Sequence, residues 1–271
     1  ISGAGSGCGD HWPLCNGDVV PVQAGKKTWI EYLHRLSTGL AGPLGIWLTW
    51  AAYRATAAGA RLRRAAVAQL LLLGGEAFIG AVLVKKGLVV DDDSAARAWV
   101  MGLHLINTYA LIAATVLCAV WSGPTDAPRE RFSKGVWIAG ALLVLVSATG
   151  ALTALGDTVF PPSERPTGAF MDRFSALWDP RAHFLLRLLV LPPIISIASA
   201  VYVIALTWRR FSGPPARTLI SLLLVQLVFG ALNVWLAAPA WAQLVHLLLA
   251  EAAWAAFVVT VALAPSPRRV G

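Results

Sequence analysis

The sequence predicts an all-α membrane protein built as two pseudo-symmetric four-helix bundles. Composition sets the class: of 271 residues, 57% are hydrophobic and only 13% are charged. The mean hydropathy of +0.67 lies well above that of soluble chains. The apolar residues also gather into stretches long enough to cross roughly 30 Å of hydrocarbon. An internal repeat then sets how the stretches pair.

Seven spans are expected, at about 30 to 52, 66 to 84, 99 to 121, 135 to 156, 183 to 207, 218 to 237 and 242 to 263. Their loops differ in charge. On one side, 53 to 65, 122 to 134, 208 to 217 and the tail carry twelve Lys or Arg against two acids, Asp126 and Glu130. The other side carries eight basic and nine acidic residues. The positive-inside rule makes the first set cytoplasmic and turns residues 1 to 29 outward, in a multi-pass protein of the plasma membrane. The net charge of +8 is explained by these loops and needs no nucleic-acid partner. An outward N-terminal segment is common after one preceding span, so the first of eight helices is expected to be missing, the alternative being a seven-span protein with an outer N-terminus. The chain then divides into an N-terminal helical half, 1 to 121, a cytoplasmic linker, 122 to 134, and a C-terminal half, 135 to 263.

The outer segment contains Gly-Cys-Gly-Asp-His-Trp-Pro-Leu-Cys-Asn-Gly, with Cys8 and Cys15. An oxidising exterior favours a disulfide closing this short loop, worth ~2 to 3 kcal/mol on the loop-entropy model. The alternative is a metal held by His11 and the two thiols, one ligand short of what zinc takes. Cys118 stands in an apolar span and is expected to pack inertly.

After the outer segment comes Glu31-Tyr-Leu-His34-Arg35, which places ionisable groups at the head of a span. Such groups are costly there and usually functional, and Glu31 and His34, three apart, share a helical face. Besides His11, the histidines are His34, His104, His183 and His246. Each lies in or at the start of a different span, in the outer third of the membrane. They also repeat. Residues 71 to 84 resemble 221 to 234, pairing Glu76 with Gln226 and Gly80 with Gly230. His104 is then answered by His246, and His34 by His183. In this scheme the span at 135 to 156 has its counterpart in the missing helix.

Two imidazoles facing each other across a helical bundle suit axial ligation of haem iron. Zinc or copper would want more ligands at one point. Glu31 has no equivalent near His183, where position 180 is Pro, so the halves are chemically unequal. It either pairs with Arg35 or Lys27 at a helix end or works on a substrate held in the first half. Glu76 is expected to hydrogen-bond between helices, with a proton relay as the alternative, and Glu251 to play a similar structural part. Arg187, one turn from His183, either pairs with a haem propionate or snorkels to the surface.

These residues carry a family resemblance. The Cys8 to Cys15 segment, the Glu31-x-x-His34-Arg35 motif, His104, Gly230-Ala-Leu-Asn-Val and the run from Ala238 through His246 resemble haem A synthases over nearly the whole chain. The resemblance implies an eight-helix membrane oxidoreductase that converts the ring methyl of haem O to the formyl of haem A by successive hydroxylations. It implies a resident haem b on His183 and His246 and the substrate haem on His34 and His104. It further implies that Glu31 acts in the oxidation, stabilising a cationic intermediate or taking a proton, and that Cys8 and Cys15 form a disulfide near the substrate site. A haem O synthase (protohaem farnesyltransferase) and an electron donor the sequence does not identify would be partners. The rivals are a bis-histidine dihaem electron-transfer cytochrome and a haem-binding oxidase-assembly protein. The loop 157 to 182 lacks the second cysteine pair that bacterial members often have there.

Overall fold

The computed structural model describes residues 5–9, 11–22, 25–89, 92–123, 133–159, 191–236 and 239–264. They form seven helices: α1 (Lys26–Ala55), α2 (Arg61–Lys85), α3 (Ala95–Ser122), α4 (Lys134–Val159), α5 (Leu191–Arg210), α6 (Pro214–Trp235) and α7 (Ala240–Ala262). The all-α class and the order of the helices are those expected, with the start of the fifth span, 183 to 190, outside the described residues.

Six of the seven helices, α2 to α7, are long and apolar enough to cross a membrane. The exception is α1. At 30 residues it has the length, but its charge-free stretch from Leu36 to Tyr53 is diluted by Ser37, Thr38, Gly39, Gly42, Pro43, Gly45 and Thr49. It still runs against α2. Gly45 leaves room for Gln69 and Leu73, and Thr49 Oγ1 donates to Ala66 O at 3.1 Å as well as to Gly45 O at 2.9 Å. Polar links between close-packed helices of this kind compensate for the weak apolar drive inside lipid.

The helices α4 to α7 close into a ring in which each packs on the next and α7 returns to α4. Its core is Val136 and Ala139 of α4, Val203 of α5, Leu219 and Leu223 of α6, and Ala253, Phe257 and Val258 of α7. In the first half α2 stands between α1 and α3. A smaller cluster holds these three together, formed by Ala52, Leu62, Ala65, Ala66 and the buried free Cys118. Cys118 therefore packs as expected. The most extensive contacts join α2 to α3 and α6 to α7, the two hairpins that the internal repeat pairs.

Helix α3 joins the halves, packing on α4 and α7 as well as α2. The ring of Tyr109 is almost fully buried there. Its hydroxyl accepts from Ser147 Oγ of α4 at 2.6 Å, and its backbone carbonyl accepts from Trp254 Nε1 of α7 at 2.8 Å. Outside this core, Trp99, Trp208 and Trp235 stand exposed near helix ends, where amphipathic rings anchor a span at the bilayer interface.

Candidate functional site

The N-terminal segment folds as a small knot against the head of α1. Cys8 and Cys15 form a disulfide, which removes the thiols from the alternative metal site with His11. The loop is drawn together by Asn16 N donating to Cys8 O at 3.0 Å and by Cys15 and Asp18 exchanging backbone bonds of 2.9 and 3.0 Å. It lies directly on the helix backbone. A Cβ at Gly7 would come within 2.7 Å of Lys27 and Thr28 main-chain atoms, so only glycine fits.

Glu31 faces this knot and is 8% exposed. Its Oε2 accepts from Cys8 N at 2.9 Å. Its Oε1 accepts from Arg35 Nε at 3.1 Å and Arg35 Nη2 at 2.5 Å. The guanidinium of Arg35 then reaches the carbonyls of Leu14 at 2.6 Å and His11 at 3.0 Å. Arg35 uses its planar fork to hold a carboxylate on one side and loop carbonyls on the other, which the point charge of a lysine could not do. Glu31 is thus a fixed negative charge held by three donors. His34, on the same helix, is exposed, and its carbonyl accepts from Ser37 Oγ and Thr38 Oγ1.

The other histidines show the repeat as geometry. His104 Nδ1 of α3 lies at ion-pair distance, 2.8 Å, from Glu76 Oε2 of α2. His246 Nε2 of α7 lies 3.3 Å from Gln226 Nε2 of α6. Each hairpin therefore brings its histidine to the residue that the sequence repeat pairs with it. The first pair is more elaborate. Glu76 Oε1 also accepts from Asn107 Nδ2 at 2.7 Å and Thr108 Oγ1 at 3.0 Å, so Glu76 bridges α2 to α3 as expected. His34, His104 and His246 all lie within the first three turns of their helices.

The structure brings together Glu31, Arg35 and the Cys8–Cys15 loop, and separately each histidine with its hairpin partner. No described contact joins His34 to His104, and His183 and Arg187 lie outside the described residues. Among the described residues no three His, Cys, Asp or Glu side chains converge as a small-metal site would need. Histidines on separate helices fit a haem iron better. His246 also fits by its surroundings. Its Nδ1 is buried without a hydrogen-bond partner among the described residues, and a Cβ at Gly230 would come within 3.2 Å of its ring. A cavity of about 50 Å³ in the second half, lined by Tyr109, Ser147, Ser199, Gln226 and Trp254 among others, has room for a few waters and none for a macrocycle.

The family model of the COX15-CtaA cytochrome oxidase assembly proteins matches residues 1–258. The chain belongs to this family. The likeness to haem A synthases read from the motifs is thereby borne out, and relatives carry that name. A haem A synthase of Bacillus cereus is 28% identical over 97% of this chain and 85% of its own length. Another, of Alkalihalophilus pseudofirmus, is 30% identical over 49% of this chain and 43% of its own length. A Thermus thermophilus protein named protohaem IX farnesyltransferase is 38% identical over 99% of this chain. The chain spans only 46% of that relative. No solved structure matches. The family is one of cytochrome oxidase assembly proteins, and the six apolar helices indicate a multi-pass membrane protein.

Two residues of the first-half cluster, Asn107 and Thr108, were not singled out in the sequence. The signal was present: they lie three and four residues after His104, hence on its helical face.

Proposed function

We propose that this chain makes haem A by oxidising the ring methyl of haem O to a formyl group. The observation that supports it best is the pair of matching hairpins, His104 with Glu76 and His246 with Gln226, in a chain of this family. In this reading His183 and His246 hold a resident haem b, and His34 and His104 hold the substrate haem. When bound, the haem iron supplies one-electron chemistry that no side chain of the protein can.

The residues of the chain supply position and charge. Gly230 lets the α6 backbone approach the His246 imidazole closely and sets where that ring can lie. Arg35 and the Cys8 amide hold the Glu31 carboxylate one turn from His34, where it would offer negative charge to positive charge developing on a substrate held by His34. That is preorganised electrostatic stabilisation. With both oxygens already accepting bonds, Glu31 serves this part better than that of a proton carrier. The sites lie toward the outer face of the plasma membrane, with the C-terminus cytoplasmic. The name of the Thermus relatives favours a protohaem farnesyltransferase, the supplier of haem O, as partner.

The test is expression in a host that supplies haem O, then extraction and chromatography of the haems. Haem A is expected. Recovery of only haem O and haem b from a folded, haem-loaded protein would refute the reading. The hold of Arg35 and Cys8 on Glu31 favours one rival, a dihaem electron-transfer cytochrome in which Glu31 is purely structural; it predicts that haem O stays unchanged.

A further inference from the structure

His104 and His246 occupy matching places in the two hairpins, yet what stands behind each ring differs in charge. Beside His104 is a carboxylate, with Glu76 Oε2 at 2.8 Å from Nδ1, an ion-pair contact without the alignment of a hydrogen bond. That carboxylate is anchored. Asn107 Nδ2 donates to Glu76 Oε1 and also to Leu72 O at 2.8 Å, while Thr108 Oγ1 donates to the same Glu76 oxygen. Gly75 lies against Asn107, where a Cβ would come within 3.0 Å of Oδ1, so the cluster has little room to shift. Behind His246 is the neutral amide of Gln226, at Nε2 rather than Nδ1. The positions matching Asn107 and Thr108 are Leu249 and Ala250, which bring no polar group. Nδ1 of both rings is buried without an aligned hydrogen bond among the described residues, so the adjacent charge is what distinguishes the two.

A carboxylate on the far nitrogen of a ligating imidazole fixes which nitrogen carries the proton, fixes the ring's orientation and raises its donor strength. We propose that Glu76 is a positioning residue that turns His104 Nε2 toward the substrate haem and makes His104 the stronger donor of the two hairpin histidines. The iron held in the first half consequently has a lower reduction potential than a neutral partner would give it. The inference rests on the haem reading given above and adds an electronic difference between the halves.

Glu76→Gln tests it by giving the first hairpin the residue that the second already uses at the matching position. The full-length, haem-loaded protein is titrated spectroelectrochemically, with ferric EPR spectra recorded in parallel. One haem is expected to move to more positive potential by a factor of at least ten in its one-electron equilibrium, about 59 mV, with a change in its low-spin EPR signal. Gln226→Glu is the converse and holds if Glu76→Gln does not fold: the haem that His246 ligates should move to more negative potential. Unchanged potentials and EPR signals in either folded, loaded variant would overturn the inference. A His104→Ala variant separates this from failure of the underlying reading. If removing His104 leaves every haem signal in place, the ligand assignment falls, and the proposed role of Glu76 falls with it.

Discussion

Arg35 Nη2 lies 2.5 Å from Glu31 Oε1, one turn back along α1, and the same guanidinium holds the carbonyls of Leu14 and His11 in the disulfide loop. The pair is nearly withdrawn from solvent, at 11% and 8% exposure, so it is not the weak kind of ion pair found on open surfaces. Arg35→Ala should release the loop from α1 and leave Glu31 without its main partner. A loss of about 1 to 3 kcal/mol is expected, as for charged hydrogen bonds cut on one side. Thermal unfolding in detergent and faster amide exchange over residues 8 to 18 would register it. Arg35→Lys should recover only part of the loss, because it keeps the charge and loses the fork.

For Glu31 the expected outcome is a split between binding and conversion. Glu31→Ala should retain haem, since no proposed ligand is touched, and should form no haem A. Chromatography of extracted haems alongside an optical spectrum checks both halves of the statement. Conversion at the unsubstituted rate would leave Glu31 as an anchor for the loop and nothing more.

The two repeat glycines make an internal comparison. A Cβ at Gly230 would lie 3.2 Å from His246 Cε1, whereas one at Gly80 would meet no described atom within 4 Å. Gly230→Ala should therefore displace the imidazole and alter the low-spin haem b spectrum. Gly80→Ala should leave thermal stability unchanged or raise it by up to about 1 kcal/mol, alanine being the better helix former.

At the junction of the halves, Trp254→Phe keeps the ring that packs on Tyr109 and Phe257 and removes the donor to Tyr109 O. The expected cost is about 0.5 to 1.5 kcal/mol. Denaturant unfolding in detergent should show it, and an unchanged midpoint would mean that stacking alone carries this contact.

Much of the fold was legible because hydropathy is a strong signal where the solvent is lipid. The helix order and the repeat pairing of Glu76 with Gln226 followed from apolar runs and residue matching, and both survive as geometry. The standing of α1 was harder to read. Its stretch from Leu36 to Tyr53 is free of charge, as a span would be, while its glycines, Pro43, Ser37, Thr38 and Thr49 hold its hydropathy down. The grip on Glu31 was half legible: Arg35 was a candidate partner from its spacing, but the amide of Cys8 and the loop carbonyls are backbone groups, and no side-chain pattern announces them. His183 and Arg187 lie outside the described residues, so the repeat match of His183 to His34 and the spacing of Arg187 one turn on remain readings of the sequence.

Tyr109 follows His104 by five residues on α3, about 7.5 Å along the axis. One faces Glu76 in the first half; the other is fastened to Ser147 and Trp254 in the second. Helix α3 is therefore a shared axle. The helix that carries His104 in the first half is thus the one pinned into the second half at Tyr109, so the position of His104 is set from both sides of the molecule.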